Sequence, residues 1–419
     1  MVMKNKIKTI LSLGIFAILL NQCSSGQDVY QWRGPARDGK YNESELLSQW
    51  PEEGPQLLWS VQTLGPGYAA PVVTSDRLLV MGVEDGNSTL FAFDLDGNLL
   101  WKAHNGLSFA GSGFSSNFPG SRSTPTVIGD RIYATSGIGR IACFNIRTGE
   151  ELWAVDMVND LDGFMNEFSY AESVVSDDNN IYCFPGGKEI NVAALNRFTG
   201  ETIWTSAATG DTTHFVSPIL VELPSRKIYV STSRHHMFGV DCSSGELLWK
   251  YDIAFNNDGD HANTPVYEAP YIYNVTNDKN GAGAVKLELS PDGTSVKEIW
   301  TNEDVKNEMG GFILEDNKLF VTTENKYLHV VDPADGKVLE RVRSPYGGLI
   351  FADNKFICYG TAGDVNLFNY MDGKLVQGGT FKVTMGSKEH FSHPVVSNGV
   401  LYIRHGEALM YKTPLHNRV

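Results

Sequence analysis

The stretch FNIRTGEELW, residues 144–153, decides the fold because the chain repeats its pattern. Each copy has an apolar run, a polar turn that contains Gly, and a terminal Trp. The other copies end at Trp101, Trp204, Trp249 and Trp300. Self-similarity at a spacing of roughly 40–50 residues is typical of a repeat architecture, so one array of repeats accounts for most of the 419 residues.

A second motif precedes each copy and consists of an apolar strand, a polar turn and an apolar strand with Tyr or Phe. It occurs at residues 69–82, 123–137, 171–186, 216–233, 263–275, 310–323, 347–360 and 392–406. The two motifs together give four short strands, rich in β-branched and aromatic residues. Stacked four-stranded units of this length form a β-propeller. We therefore predict an all-β, eight-bladed β-propeller of four-stranded antiparallel blades.

The two ends of the chain are predicted to close the ring. Too few residues follow the eighth repeat to form its outermost strand. The segment PQLLWSVQT at 55–63 has the pattern of an outermost strand, but it stands before the first repeat. Pairing of this N-terminal strand with the C-terminal strand would complete the eighth blade and remove exposed sheet edges. Within each repeat, Gly supplies the positive φ of the turn, and the Trp is expected to cover the next blade.

The first 22 residues are predicted to be a signal peptide. Lys4, Lys6 and Lys8 precede an apolar run over 10–20, and Cys23 follows in LNQCSSG. This segment resembles a lipoprotein signal, which implies lipidation of Cys23 and an exported protein anchored in the outer membrane, facing periplasm or exterior. The alternative is an ordinary secretory signal. Residues 23–54 then form an extended leader, and residues 55–419 form the propeller.

Charge and cysteine usage narrow the function classes. Without the three lysines of the signal, the chain has 31 basic and 49 acidic residues, which gives a formal charge of −18. Because so acidic a surface repels phosphate groups, we predict no nucleic-acid partner. The remaining cysteines are predicted to be single buried thiols because they lie in apolar strands without CxxC spacing. They are Cys143, Cys183, Cys242 and Cys358.

The repeats resemble those of the pyrroloquinoline quinone (PQQ)-like propeller family, which includes quinoprotein alcohol dehydrogenases and BamB-like lipoproteins. YQWRGPARDGKY at 30–41 and GYAAPVV at 67–73 resemble a secreted subgroup. The resemblance implies a BamB-like binding scaffold of the cell envelope, with envelope proteins as partners and no bound quinone. The alternative is a PQQ-dependent dehydrogenase, but the adjacent cysteine pair of methanol-type enzymes is absent. The calcium ion of such a dehydrogenase could be held in this chain only by Glu172, Asn263 and Asp260.

Residues just before the innermost strands are expected to meet at one mouth of the central channel. We predict ligand-binding candidates there: Tyr68, Arg122, Tyr170, Glu172, His214, His261, Asn263, Met309, Tyr346, His390 and His393. One hypothesis is a divalent metal on His214, His261 and Glu172, serving a carbohydrate-active enzyme. A second is binding of a peptide or glycan without chemistry, and a third is purely structural hydrogen bonding. We favour a non-catalytic protein. The insertion at 109–123 is a lid or a solvated connection, and we favour the connection.

Overall fold

The computed structural model describes residues 29–253, 261–277 and 283–414. Its strands form eight sheets, which we call blades 1 to 8, and this confirms the predicted eight-bladed propeller. Two short strands belong to the leader: β1 (Val29–Tyr30) and β2 (Lys40–Tyr41). A 3-10 turn covers Gly113–Asn117. Among the described residues, no helix has the length and apolar character that crossing a membrane requires.

Blades 1 to 4 follow one another along the chain, each with four antiparallel strands. Their bounds are β4 (Val72–Val73), β5 (Leu78–Glu84), β6 (Asn87–Phe93) and β7 (Leu99–Leu107) in blade 1; β8 (Thr126–Ile128), β9 (Arg131–Thr135), β10 (Arg140–Asn145) and β11 (Glu151–Asp156) in blade 2; β12 (Val175–Ser176), β13 (Asn180–Cys183), β14 (Val192–Asn196) and β15 (Thr202–Ser206) in blade 3; and β16 (Ile219–Leu223), β17 (Arg226–Thr232), β18 (His236–Asp241) and β19 (Leu247–Asp252) in blade 4.

Blades 5 to 8 continue the pattern, and the last one uses a strand from the N-terminal region. Their bounds are β20 (Val266–Glu268), β21 (Tyr271–Val275), β22 (Ala284–Leu289) and β23 (Val296–Asn302) in blade 5; β24 (Phe312–Glu315), β25 (Lys318–Thr323), β26 (Tyr327–Val331) and β27 (Val338–Arg343) in blade 6; β28 (Gly347–Ala352), β29 (Lys355–Gly360), β30 (Asp364–Met371) and β31 (Lys374–Lys382) in blade 7; and β32 (Val395–Ser397), β33 (Val400–His405), β34 (Ala408–Pro414) and β3 (Leu57–Val61) in blade 8.

The apolar core is divided into eight clusters, and each cluster joins two neighbouring blades. One of them packs Leu78 and Phe91 of blade 1 against Tyr402 and Leu409 of blade 8. In the same blade 8, β3 pairs antiparallel with β34, as the sequence predicts. Strand pairing and side-chain packing between the two ends of the chain are what a closed ring requires.

The repeated Trp and Gly contact each other across neighbouring blades. Trp101 at the end of blade 1 lies over Gly149 in the turn of blade 2, and a Cβ built on Gly149 would be 2.5 Å from the indole. Gly149 has φ +72°, so the turn and the close approach both need glycine. The indole Nε1 of Trp101 donates to the carbonyl oxygen of Ile146 at 3.2 Å. The same pairing recurs for Trp59 with Gly97, Trp153 with Gly200, Trp204 with Gly245 and Trp300 with Gly336.

Trp249 departs from this pattern. Its indole packs on Gly239 of its own blade, and its Nε1 has no hydrogen-bond partner among the described residues. The following turn at Gly293 lies instead against Leu223 and Ile228. Trp249 is still 94% buried, with 6% of its surface exposed, so its contribution is apolar packing between blades 4 and 5.

The leader runs across the inner edges of several blades. Strand β1 pairs with β8 of blade 2, and β2 pairs with β28 of blade 7. Between these strands, Arg37 donates to the carbonyl oxygens of Ser173 and Val174 in blade 3, and Arg33 donates to that of Phe312 in blade 6. The Trp32 indole donates to Thr264 Oγ1 in blade 5. The leader therefore connects widely separated blades at the centre of the ring.

Two further predictions concern the termini and the cysteines. The predicted signal peptide and Cys23 lie outside the described residues. Cys143, Cys183, Cys242 and Cys358 are all free and buried, as predicted. Burial raises the pKa of the Cys358 thiol to about 12, so these thiols are packing groups at neutral pH.

Candidate functional site

A cavity of about 310 Å³ lies where segments from seven blades and the leader meet. Its lining comes mostly from residues just before the innermost strands, which is the convergence that the repeat pattern predicts. We call it the central cavity; its lining residues are Trp32, Tyr68, Phe114, Phe118, Arg122, Phe168, Ala171, Ser173, Phe215, Ser217, Ala262, Glu308, Met309, Phe391 and His393.

Aromatic rings dominate the wall of the central cavity. Phe118 contacts Phe168 with ring centroids 6.0 Å apart and Phe391 at 6.4 Å, while Phe168 contacts Phe215 at 6.2 Å. Tyr68 packs against Phe391 at 5.5 Å. These rings form a continuous apolar surface that a flat or aliphatic ligand can contact.

Arg122 and Tyr68 are two of the polar candidates that line this cavity. The guanidinium of Arg122 donates to Ser169 Oγ at 3.0 Å and to the carbonyl oxygen of Phe118 at 2.6 Å. It lies 5.4 Å from the centroid of the Tyr68 ring, a distance at which a cation is attracted to the ring face. The Tyr68 hydroxyl donates to Glu389 Oε2 at 2.9 Å. Arg122 therefore has a fixed position in the wall.

Glu172 lies in the protein interior, with 4% of its surface exposed. One carboxylate oxygen accepts from the Phe184 amide at 2.8 Å, and the other accepts from the Tyr229 hydroxyl at 3.1 Å. Burial raises its pKa to about 7, against the opposing effect of these hydrogen bonds and of the Arg37 charge. Glu172 is thus a structural carboxyl group rather than a cavity ligand.

His214 and His261 are neighbours in the structure. Their ring centroids are 5.4 Å apart, and His214 Nδ1 accepts from the His261 amide at 3.2 Å. Burial, with the neighbouring His261, lowers the pKa of His214 to about 3. Within residues 29–253, 261–277 and 283–414, no group of three His, Cys, Asp or Glu side chains is placed to hold a metal ion. Glu172 is therefore not brought together with the two histidines.

The predicted calcium ligands of a quinone site are also engaged elsewhere. The Asn263 amide donates to the carbonyl oxygens of Val275 and Asn307, and its own oxygen accepts from the Gly311 amide. Both oxygens of Glu172 are likewise used, and Asp260 lies outside the described residues. The described oxygens of this predicted calcium set therefore already accept hydrogen bonds from the protein itself, which does not favour a calcium–quinone complex there.

The remaining candidates have defined hydrogen bonds. His393 lines the cavity, where its Nε2–H donates to the Met309 carbonyl oxygen at 3.1 Å and its ring meets Trp32 edge-on at 4.7 Å. Tyr346 lies beside the cavity, and its hydroxyl accepts from the Glu308 amide. His390 Nδ1 bonds the Tyr359 hydroxyl at 2.6 Å and its ring stacks on His405. Tyr170 is buried, and its hydroxyl donates to the Pro185 carbonyl oxygen.

Sequence reasoning missed the phenylalanines of the wall. Phe215 follows the predicted candidate His214, and Phe391 follows the predicted candidate His390, so in both places the residue that lines the cavity is the apolar neighbour. In an extended segment, successive side chains point to opposite sides, and the side that faces the cavity can carry either the polar or the apolar residue of such a pair. The insertion at 109–123 also contributes Phe114 and Phe118 to the wall. The preferred prediction of a merely solvated connection was therefore wrong.

Comparison with known sequences places these features in a family. The sequence pattern of a family described as outer membrane protein assembly factor BamB matches residues 41–154 and 115–342. One relative with that same description, from Bordetella pertussis, is 26% identical over 160 residues. That match covers 37% of this chain and 38% of the relative, so the chain spans well under half of that relative's length.

Solved structures share the fold at low sequence identity. BamB from Moraxella catarrhalis superposes with a TM-score of 0.61 at 11% identity, covering 86% of this chain and 100% of that one. A europium-containing methanol dehydrogenase superposes with a TM-score of 0.69 at 12% identity, covering 91% of this chain and 90% of that one. Since an outer membrane protein assembly factor and a methanol dehydrogenase share this architecture, the fold alone does not assign a function.

Proposed function

Because this chain belongs to the family described as outer membrane protein assembly factor BamB, we propose that it is an exported envelope lipoprotein that binds another envelope component. Binding takes place at the central cavity, without a quinone and without catalysis. The ligand is a segment of an envelope protein, a peptide or a glycan. The anchor is an acyl group on Cys23, which holds the propeller at the outer membrane.

One observation carries the binding proposal: the central cavity combines a continuous aromatic wall with a single guanidinium, that of Arg122. Such a wall gives a large contact area at a low entropic cost because the rings already pack against one another. The predicted metal ligands also support a binding protein rather than an enzyme, since the side chains of Glu172 and Asn263 form hydrogen bonds within the protein itself.

Photo-crosslinking in living cells tests this proposal. A photoreactive amino acid replaces Phe114, a cavity residue with 66% of its surface exposed, and a matched one replaces Leu339, which is 56% exposed on the outermost strand of blade 6. We expect a discrete crosslink to an envelope component from position 114 and none from position 339. Absence of crosslinks at 114, or the same products at both positions, would contradict binding at the cavity.

The anchor is tested separately by the Cys23→Ser substitution. We expect the wild-type protein to fractionate with membranes and the variant to be released in soluble form, because a single serine cannot carry the acyl chains that hold a protein in a bilayer. Membrane association that persists unchanged in the variant would argue against lipidation at this residue.

A further inference from the structure

Arg122 is a cation in the cavity wall without an anionic partner among the described residues. Its two terminal nitrogens donate to carbonyl oxygens of Gly120 and Phe118 and to Ser169 Oγ, all of them neutral groups. Burial lowers its pKa to about 10, which leaves the guanidinium charged at neutral pH. A charged group next to an apolar surface, with only neutral partners, favours an anion that can approach it.

Two more guanidiniums lie behind the same wall. Arg404 is fully buried; it donates to the carbonyl oxygens of Gly406 and Ala69, and its Nη2 atom would be 2.6 Å from a Cβ on Gly67. Arg33 is 2% exposed, and its charge helps to lower the pKa of His393. Neither guanidinium forms an ion pair with a described carboxylate, and Arg33 Nη1 and Arg404 Nη2 have no hydrogen-bond partner there.

Several carboxylates lie near the cavity or near the guanidiniums behind it. Glu389 accepts the hydroxyl hydrogen of Tyr68, and Glu308 is part of the lining. Glu172 and Arg37 form a separate interacting pair on the side of blade 3. Of the three guanidiniums, only that of Arg122 lies in the lining, since Arg33 and Arg404 are buried behind it, and the charges of Asp38 and Glu407 act on these two. Arg122 is therefore a local positive charge beside a space of low polarity, where charge–charge energies are larger than in water, although the protein as a whole is acidic.

The shape of the cavity limits the ligand. A volume of about 310 Å³ is at the small end for ligand sites, and the wall offers one accessible guanidinium among seven aromatic rings. Resting on the proposed function of this cavity as a binding site, we propose that its ligand is an apolar body that ends in one carboxylate. The carboxylate pairs with Arg122, and the apolar body packs on Phe118, Phe168 and Phe391. A fatty acid and the C-terminal residue of a peptide both present this chemistry.

Titration calorimetry with two matched pairs of small probes tests this inference. The protein is the full mature chain with Cys23→Ser, and the probes are octanoate with octanol and N-acetylphenylalanine with N-acetylphenylalaninamide. The two members of each pair share their apolar part, and only one of them ends in a carboxylate. We expect a carboxylate to bind about tenfold or more tightly than its neutral partner, since charge-assisted hydrogen bonds are the stronger ones. The tighter of the two carboxylates identifies a lipid or a peptide source.

Substitutions of Arg122 test whether the preference for a carboxylate depends on this residue. Arg122→Met keeps much of the side-chain volume and removes the charge, so the preference for the carboxylate over the neutral probe should disappear. Arg122→Lys should retain part of the preference because it keeps the charge without the planar fork. Arg341→Met, on the exposed face of β27, is the control and should change nothing. The comparison of probes on the unsubstituted cavity remains decisive if Arg122→Met fails to fold.

The outcomes separate this inference from the proposed function. Equal binding of charged and neutral probes overturns the carboxylate inference but leaves the cavity as a binding site. Crosslinking at position 114 without binding of any carboxylate probe also overturns the inference alone. Loss of both crosslinking and probe binding overturns the proposed function and the inference together.

Discussion

The indole of Trp153 in blade 2 covers the backbone of Gly200 in blade 3. A Cβ built on Gly200 would lie 2.8 Å from the ring, and Trp153 Nε1 donates to the Arg197 carbonyl oxygen at 3.1 Å. Because the same relationship joins five pairs of neighbouring blades, the repeat that is visible in the sequence encodes contacts between blades rather than a chemical site.

Gly200→Ala should destabilise the protein because it adds a methyl group against this indole at a position with φ +78°. We expect a loss of about 2–4 kcal/mol in the free energy of unfolding, from overpacking together with backbone strain. Gly86→Ala is the matched control, since Gly86 has φ +77° and nothing within 4 Å of its added Cβ. Urea unfolding should show about 1 kcal/mol for the control. Equal losses would show that the indole contact contributes nothing.

Glu172→Gln should change how stability depends on pH. The folded-state pKa of Glu172 is raised to about 7 from 4.5, so the folded protein binds the proton more tightly than the unfolded chain does. Wild-type stability should therefore fall, relative to the variant, as pH rises from about 4.5 to about 7, by up to about 1.4 kcal/mol per pH unit. Urea unfolding at several pH values measures the difference. Parallel curves for the two proteins would contradict a buried, hard-to-ionise carboxyl group.

His393→Gln should change the pH dependence of stability in the opposite direction to Glu172→Gln. Burial lowers the folded-state pKa of His393 to about 3 from 6.5, so the unfolded chain binds the proton first as pH falls. Wild-type stability should decrease as pH falls from about 6.5 toward about 3. Gln retains a donor for the Met309 carbonyl oxygen but does not titrate, so the variant should lose less stability over this range. If acid destabilises both proteins equally, His393 is not held neutral.

The sequence predicted the fold more fully than the site. Repeated strands, turns and Trp residues act locally or between adjacent blades, so their spacing predicted eight blades and the pairing of β3 with β34. The site depends on which way each side chain of an extended segment faces, and His214 and Phe215 show that adjacent residues take different environments. The position of the leader depends on contacts with blades hundreds of residues away, such as that of Arg33 with Phe312. No local pattern reports such contacts.

The most direct test of a binding rather than a catalytic protein is reconstitution with pyrroloquinoline quinone and calcium. The purified protein is incubated with both, freed of excess, and examined by absorbance spectroscopy and elemental analysis. Since the side-chain oxygens of Glu172 and Asn263 already accept hydrogen bonds from the protein itself, we predict neither a quinone absorbance band nor stoichiometric calcium. One equivalent of bound quinone with calcium, accompanied by oxidation of an alcohol, would contradict this account.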